Sequence, residues 1–319
     1  MLTIIYSLIP VFGIIILGAL TERKGIFPPA MVVCLNQFVY RIGLPALLIN
    51  QFSRFHPGMI PLHIVGGIAL ATLASYVLVQ AFYHLSSMNP KERVIYTCLS
   101  SFPNVAFMGF PVISLLFPGN DEAMLYAALT VAISNGILIT ADAQLEWYAQ
   151  TGQKLSATLG LFCRAVCKNP IIVAAACGFT IGMLEIPIHK SIRVGITMLE
   201  ASAAPCALFC VGMTLFTQLR SGNPFQKEVL ARQSWLHVFK LIIQPLVTYL
   251  ILCAFGVSGL AAAVPSVLAA MPSAVATYVL AEKYRAFEKE APLAVIANLL
   301  LSSLTIPLVL YGMRLYRIF

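Results

Sequence analysis

Two apolar stretches of the sequence each carry a pair of prolines in mid-segment, Pro103 with Pro111 and Pro265 with Pro272. A proline removes one backbone donor and clashes with the carbonyl four residues earlier, so neither stretch is expected to form an uninterrupted helix. The helix N-termini created by such breaks have unpaired N–H groups and a partial positive charge, which suit an anion. Asn104 follows the first break, and its amide can donate to a carboxylate without the cost of burying a charge. The sequence therefore predicts an anion site with Asn104 as its first residue.

Other polar residues near these prolines could extend the site. Ser273 and Thr277 follow Pro272 and could add hydroxyl donors, although hydroxyls in membrane helices more often bond the carbonyl four residues back. Asn135 and Asn298 lie in two later apolar stretches, where they could steady the broken backbones or touch the ligand. Bonding between helices is the favoured interpretation for both asparagines.

Charged residues inside apolar stretches are candidates for function because burial of a charge in a membrane is costly. Arg41 and Glu200 could form a buried ion pair, or could take part in binding or proton coupling. Asp142, with Glu146 one helical turn later, is expected at a wet interface. Lys240 is expected to extend its amine to the membrane surface.

The elements that must position these residues are predicted to be membrane-spanning helices. Of the 319 residues, 60% are apolar and 10% charged, and the mean hydropathy is +0.89. Soluble domains have about 45–50% apolar and about 25% charged residues, so a soluble enzyme is excluded. Apolar windows predict an all-α polytopic protein with ten spans near 3–20, 31–49, 60–84, 93–117, 122–148, 169–185, 191–217, 233–255, 258–281 and 291–314. The first window has no basic leader or cleavage site and is interpreted as a retained span.

The charges between the spans predict their orientation. Most Lys and Arg residues lie in the connectors that follow odd-numbered spans, which the positive-inside rule places in the cytoplasm. Both termini are then periplasmic or extracellular, and the longest connector, residues 149–168, is cytoplasmic.

The two halves of the sequence match weakly at an offset of about 160 residues. Pro10 then matches Pro170, and Pro45 matches Pro205. Residues 1–148 and 169–319 are therefore predicted to be two five-helix repeats. Because five is odd, the second repeat enters the membrane inverted, an arrangement typical of secondary transporters, and the broken spans four and nine are expected to cross.

Motifs for other chemistry are absent from the sequence. It has no phosphate-binding loop, no nucleophile elbow and no H-E-x-x-H motif. Its cysteines and histidines have no metal-ligand spacing, and its excess of positive charge is interpreted as a topology signal rather than a nucleic-acid surface. We therefore expect no enzyme activity, no metal, no cofactor and no nucleic-acid partner.

Several short motifs resemble those of a known family. They are Leu35-Asn-Gln-Phe-Val-x4-Leu-Pro45, Pro103-Asn104-x4-Gly109-x-Pro111, Lys168-Asn169-Pro170, Leu208-x3-Gly212-Met, Lys240-Leu-x3-Pro245 and Ala269-Ala-Met-Pro272. With these motifs in order over nearly the whole chain, the sequence resembles the auxin efflux carrier family, which includes bacterial carriers linked to malonate and malate. That family is similar in fold to the bile-acid sodium symporters.

The resemblance implies a carrier of organic anions, usually a homodimer, in which a domain with the crossed helices moves as an elevator against spans one, two, six and seven. By position, Asn104 matches an asparagine near the substrate carboxylate, and Pro111 and Pro272 match the crossover prolines. Asn169 lies in the family's Asn-Pro motif. The third span has no carboxylate, unlike the plant carriers, so the resemblance favours a small acid over auxin and leaves the coupling ion open.

Together these observations predict a secondary transporter of a malonate- or malate-like carboxylate in a bacterial inner membrane, linked to protons or to the membrane potential. A sodium-coupled organic-anion symporter is the alternative within transport. A sensor that binds a carboxylate without moving it is the alternative from a different class, as is a passive channel.

Overall fold

A computed structural model of the chain describes residues 2–28, 30–54, 61–86, 88–149, 160, 163–164, 166–221 and 227–315. Over these residues the chain is helical, and its β pairing is limited to one bridge between Pro103 and Ser273. The prediction of an all-α protein is therefore confirmed. Most of the predicted connector 149–168 lies outside the described residues.

Fourteen α-helices are named here in chain order. They are α1 (Leu2–Arg23), α2 (Ala30–Phe38), α3 (Leu44–Phe52), α4 (Leu62–His84), α5 (Pro90–Ser101), α6 (Phe110–Leu116), α7 (Asp121–Ala149), α8 (Pro170–Met183), α9 (Lys190–Ser221), α10 (Lys227–Val238), α11 (Gln244–Ala254), α12 (Leu260–Ala269), α13 (Val275–Tyr284) and α14 (Glu290–Leu315).

Several of these helices have the length and composition of membrane spans. Six continuous helical segments qualify, and they are Ala30–Phe52, Leu62–His84, Asp121–Ala149, Lys190–Arg220, Gln233–Ala254 and Glu290–Arg314. Shorter apolar helices cover Val105–Leu116, Pro170–Met183 and Leu260–Ala269. Many large apolar side chains face outward, including Leu62, Met198 and Leu304. An outer surface of this kind is that of an integral membrane protein.

Three short π-helical segments each lead into a proline. Val39–Gly43, Val105–Gly109 and Phe239–Ile243 precede Pro45, Pro111 and Pro245, which lie at the start of α3, α6 and α11. A proline cannot donate to the carbonyl four residues earlier, and the wider π turn accommodates the ring without breaking the helix.

The helices are not interrupted at every proline for which a break was predicted. Pro111 lies inside a continuous helical segment, and Pro265 lies inside α12. The breaks are at Pro103, between α5 and the π segment, and at Pro272, between α12 and α13. Pro111 and Pro272 were assigned as the crossover prolines. Pro272 is at a break, whereas Pro111 is not, because the π turn before Pro111 accommodates the missing backbone hydrogen bond.

Two groups of helices pack closely. The helix α1 runs along α9, while α3 contacts both α8 and α9. Glycines permit the contact between α1 and α9, since a Cβ atom on Gly18 would lie 2.2 Å from the carbonyl oxygen of Phe209 and one on Gly212 would lie 1.9 Å from that of Ile15. The helices α4, α5, α7 and α10 to α14 pack mainly with one another and carry the two breaks.

Candidate functional site

The two helix breaks lie against each other. The backbone N–H of Asn104 donates to the carbonyl of Pro272 at 2.8 Å, and the N–H of Ala274 donates to the carbonyl of Phe102 at 3.0 Å. These bonds join the breaks as a short antiparallel pair around the bridge between Pro103 and Ser273. Four helix ends therefore meet at one place, namely the C-termini of α5 and α12 and the N-termini of the helical segments that start at Val105 and Val275.

Asn104 occupies the N-cap position of the segment that starts at Val105. The residue is 4% exposed, and its backbone carbonyl accepts from the N–H groups of Met108 and Gly109 at 3.1 and 3.0 Å. Within the described part of the chain its side-chain amide neither caps the helix nor has another hydrogen-bond partner. The amide atoms of Asn104 are not completely enclosed by protein, so they stay accessible to a ligand.

Thr277 lies in the first turn of α13 and is fully buried. Its hydroxyl has no hydrogen-bond partner among the residues that the structure describes. It is therefore a buried hydroxyl near the crossover that the described residues leave without a partner.

Ser273 and Asn298 bond to the protein instead. The Ser273 hydroxyl donates to the carbonyl of Leu99 and accepts from Nδ2 of Asn298 at 2.6 Å. The Oδ1 atom of Asn298 lies 2.8 Å from Nδ1 of His237. This network ties α14 and α10 to the two breaks. Sequence reasoning missed His237, although a histidine inside the predicted span 233–255 was a signal for it.

Asn135 differs from its predicted repeat partner, Asn298. Its Nδ2 atom donates at 2.9 Å to the carbonyl of Val131 in the same helix. Both residues are buried. Asn135 therefore makes a local bond, whereas Asn298 joins two other elements.

We expect Asn298→Ala to destabilise the protein more than Asn135→Ala. The first change leaves Nδ1 of His237 without its buried partner, at a cost of about 1–3 kcal/mol, and it also removes one of the two hydrogen bonds of the Ser273 hydroxyl. The second change removes one bond within a helix. Thermal unfolding of both purified variants in the same detergent measures the difference, and equal midpoints would contradict the network.

Lys240 is not at the membrane surface, so the expectation that it snorkels is wrong. It is fully buried, and its Nζ atom donates to Oε1 of Gln244 at 2.6 Å and to the carbonyl of Ala269 at 2.7 Å. The π turn Phe239–Ile243 carries Lys240 on the side of the helix that faces the breaks. The carbonyl at the end of α12 and the Gln244 side chain at the start of α11 hold the amine there.

Arg41 and Glu200 do not form the ion pair that was one interpretation of the sequence. Glu200 accepts hydrogen bonds from the side-chain amides of Asn50 and Gln51, the latter at 2.7 Å. Nine helical positions separate Arg41 from Asn50, which corresponds to roughly 14 Å along the helix axis. Glu200 therefore fastens α9 to α3, and Arg41 lies elsewhere.

Arg41 lines a cavity of about 650 Å³ between the two groups of helices. Lys168, Asp142 and Lys283 also line it, so three cations and one carboxylate face the same space. Asp142 pairs with Lys283 at 2.9 Å. The cavity therefore has an excess of positive charge, which attracts small anions.

Asn169 also lines this cavity but has a structural role there. Its Oδ1 atom accepts from the N–H groups of Ile171 and Ile172 at 2.9 and 3.3 Å, which caps the start of α8. An N-cap asparagine is an ordinary signal of a helix start.

Comparison with known proteins decides the family. Residues 3–310 match the family described as membrane transport protein (Mem_trans), the auxin efflux carrier family. The chain belongs to this family. The resemblance drawn from the motifs is therefore confirmed, and the protein is a membrane transporter rather than an enzyme.

Individual relatives are distant but cover the chain. The "Putative malonate transporter" of Rhizobium meliloti (strain 1021) is 26% identical over 312 residues, which is 96% of this chain and 94% of that protein. The "Uncharacterized transporter YfdV" of Escherichia coli (strain K12) is 22% identical over 97% of both chains. The "Lysosomal cholesterol signaling protein" of Mus musculus is 23% identical over 75% of this chain and 29% of its own length.

Proposed function

We propose that the protein is a secondary active transporter of a small organic anion of the malonate or malate class. The single observation that carries this proposal is the meeting of two broken helices beside the buried amide of Asn104, which lacks a partner in the described residues. The helix N-termini at Val105 and Val275 supply partial positive charge for a carboxylate. The name of the Rhizobium meliloti relative supports this substrate class.

The proposed architecture has ten spans in a 5+5 inverted repeat. In it, α5 and α6 form one broken span, and α12 and α13 form its counterpart in the second half. The repeats are residues 1–148 and 169–319, and the crossed spans lie near the membrane midplane, where such transporters bind substrate.

The proposed mechanism is an elevator motion. The group α1, α2, α3, α8 and α9 is the scaffold, and the group that carries the breaks moves against it. The extensive packing within each group supports this division. The protein works as a homodimer in a bacterial inner membrane, with both termini outside and with transport linked to protons or to the membrane potential.

The cavity lined by Arg41, Lys168 and Lys283 is the cytoplasmic access route for the substrate. Its lysines belong to or adjoin the connectors whose positive charge indicates the cytoplasmic side. Three cations against one carboxylate favour a dianion such as malonate over a monoanion such as acetate.

We expect Arg41→Gln to raise the KM for malonate about tenfold with little change in the maximal rate, because it removes an attracting charge from the route and not from the crossover. Arg54→Gln is the matched control, since Arg54 pairs with Asp121 at 2.9 Å away from the cavity. Uptake kinetics in proteoliposomes measure both. Equal KM values for the two variants would show that Arg41 is not part of the access route of the substrate.

Uptake by proteoliposomes of the purified chain tests the proposed function. Radiolabelled malonate, malate and acetate are offered under separately imposed proton, sodium and electrical gradients. Accumulation above equilibrium under one gradient supports a coupled carrier. Saturable binding without uptake would instead support a sensor, and equilibration without accumulation would support a passive channel.

A further inference from the structure

The C-termini of α5 and α12 both end at the crossover. The last carbonyl groups of a helix have no partner within the helix and carry a partial negative charge. In transporters with broken helices, such ends and unwound carbonyls coordinate the coupling cation. The groups that bond the carbonyls of these two helix ends therefore affect whether a coupling cation can bind there.

One lysine and one glutamine bond the carbonyl of the last residue at each of these two ends. The Nζ atom of Lys240 donates to the carbonyl of Ala269, the last residue of α12, at 2.7 Å. It also donates to Oε1 of Gln244 at 2.6 Å, and Nε2 of Gln244 donates to the carbonyl of Ser101, the last residue of α5, at 2.6 Å. Lys240 thus reaches one helix end directly and the other through Gln244.

The charge of Lys240 has no carboxylate partner in the described part of the chain. The side chain is fully buried, and Gln244 is 5% exposed. A buried ammonium is costly unless oxygens surround it and oppose its charge. Here two helix C-termini and the amide oxygen of Gln244 oppose the charge of the Lys240 ammonium. A bound alkali cation would use the same oxygen ligands.

We propose that the Lys240 ammonium is a tethered cation that takes the place of a coupling sodium ion at the crossover, so that transport by this chain needs no sodium. The inference rests on the proposed transport function and names the coupling property of the same site. The negative helix ends are neutralised within the protein, while the positive N-termini beside Asn104 stay free for the anion.

The first experiment compares malonate uptake by the wild-type protein in sodium chloride and in choline chloride of equal ionic strength. We expect rates within about twofold of each other, because the cation is part of the chain. A requirement for sodium would overturn the proposal. Failure of uptake under every condition would contradict the transport function and not this inference, which the second experiment then tests alone.

The second experiment uses Lys240→Ala, which removes the ammonium and leaves its oxygen ligands facing a space. We expect sodium chloride, compared with choline chloride, to raise the thermal midpoint of this variant in detergent and to leave that of the wild type unchanged, because an ion that binds the folded state stabilises it. Where the wild type transports malonate, uptake by the variant is expected to fall about tenfold in choline and to recover in part with sodium.

Lys190→Ala is the matched control, since Lys190 is exposed at the start of α9. The thermal midpoint of Lys190→Ala should be the same in sodium chloride and in choline chloride. If Lys240→Ala does not fold, Lys240→Gln, which keeps most of the side-chain volume without the charge, takes its place. No sodium-specific effect on a folded Lys240 variant would show that these oxygens form no cation site, and the proposal would be wrong.

Discussion

Asn104→Ala is expected to weaken malonate binding about tenfold to a hundredfold and to leave the protein folded. A hydrogen bond to a charged group contributes about 1.5–3 kcal/mol, and each 1.4 kcal/mol corresponds to a tenfold change in affinity. Folding should survive because the amide has no partner to lose among the described residues. Calorimetric titration of the purified variant with malonate measures the affinity, and its thermal midpoint reports the fold.

Asn135→Ala is the control for this prediction. Asn135 is an equally buried amide, but it is satisfied within its own helix by the carbonyl of Val131. Its removal should leave affinity unchanged. Asn104→Asp should be worse than Asn104→Ala, because it sets a like charge against the carboxylate. Wild-type affinity in a folded Asn104→Ala variant would show that the substrate binds elsewhere.

Gly212→Ala is expected to cost about 3 kcal/mol of stability and to lower the yield of folded protein strongly. The added Cβ atom would lie 1.9 Å from the carbonyl oxygen of Ile15, 2.8 Å from its carbon and 3.0 Å from the backbone nitrogen of Ala19. All three atoms are backbone, so no side chain can rotate away and α1 must move from α9. Size-exclusion profiles and thermal unfolding in detergent measure the loss.

Two further variants make this test specific. Gly18→Ala should act like Gly212→Ala, since its Cβ atom would lie 2.2 Å from the carbonyl oxygen of Phe209 across the same contact. Gly195→Ala, on the same helix as Gly212, meets no atom within 4 Å and should be harmless or slightly stabilising. Similar losses in all three variants would show that a general effect of replacing glycine, not the close contact, is responsible.

Much of the fold could be predicted because its causes are local. Apolar windows specify helices of membrane-spanning length, and Pro103 and Pro272 break their helices since each lacks a backbone donor. The position of Asn104 directly after a break could be predicted for the same reason, while its role in binding stays a prediction. The 5+5 repeat and the direction of each span stay predictions, because they rest on weak similarity and on charge counts.

The effect of each proline was less predictable than its presence. Pro111 and Pro265 have the same chemistry as Pro103 and Pro272, yet neither interrupts its helix. A π turn before Pro111 absorbs the missing hydrogen bond. Whether the chain widens a turn or unwinds depends on which neighbours can satisfy the freed carbonyl, and these neighbours come from other helices.

The sequence by itself determined that this protein is a helical membrane transporter of a known family, and it pointed to Asn104 beside a helix break. Only the tertiary structure decided the partners of the charged residues within the spans. Lys240 donates to the last carbonyl of α12, and Glu200 accepts from Asn50 and Gln51 rather than from Arg41. Helix formation depends on residues a few positions apart, whereas the cost of a buried charge depends on groups far away in the chain. That cost is therefore settled only when the helices pack.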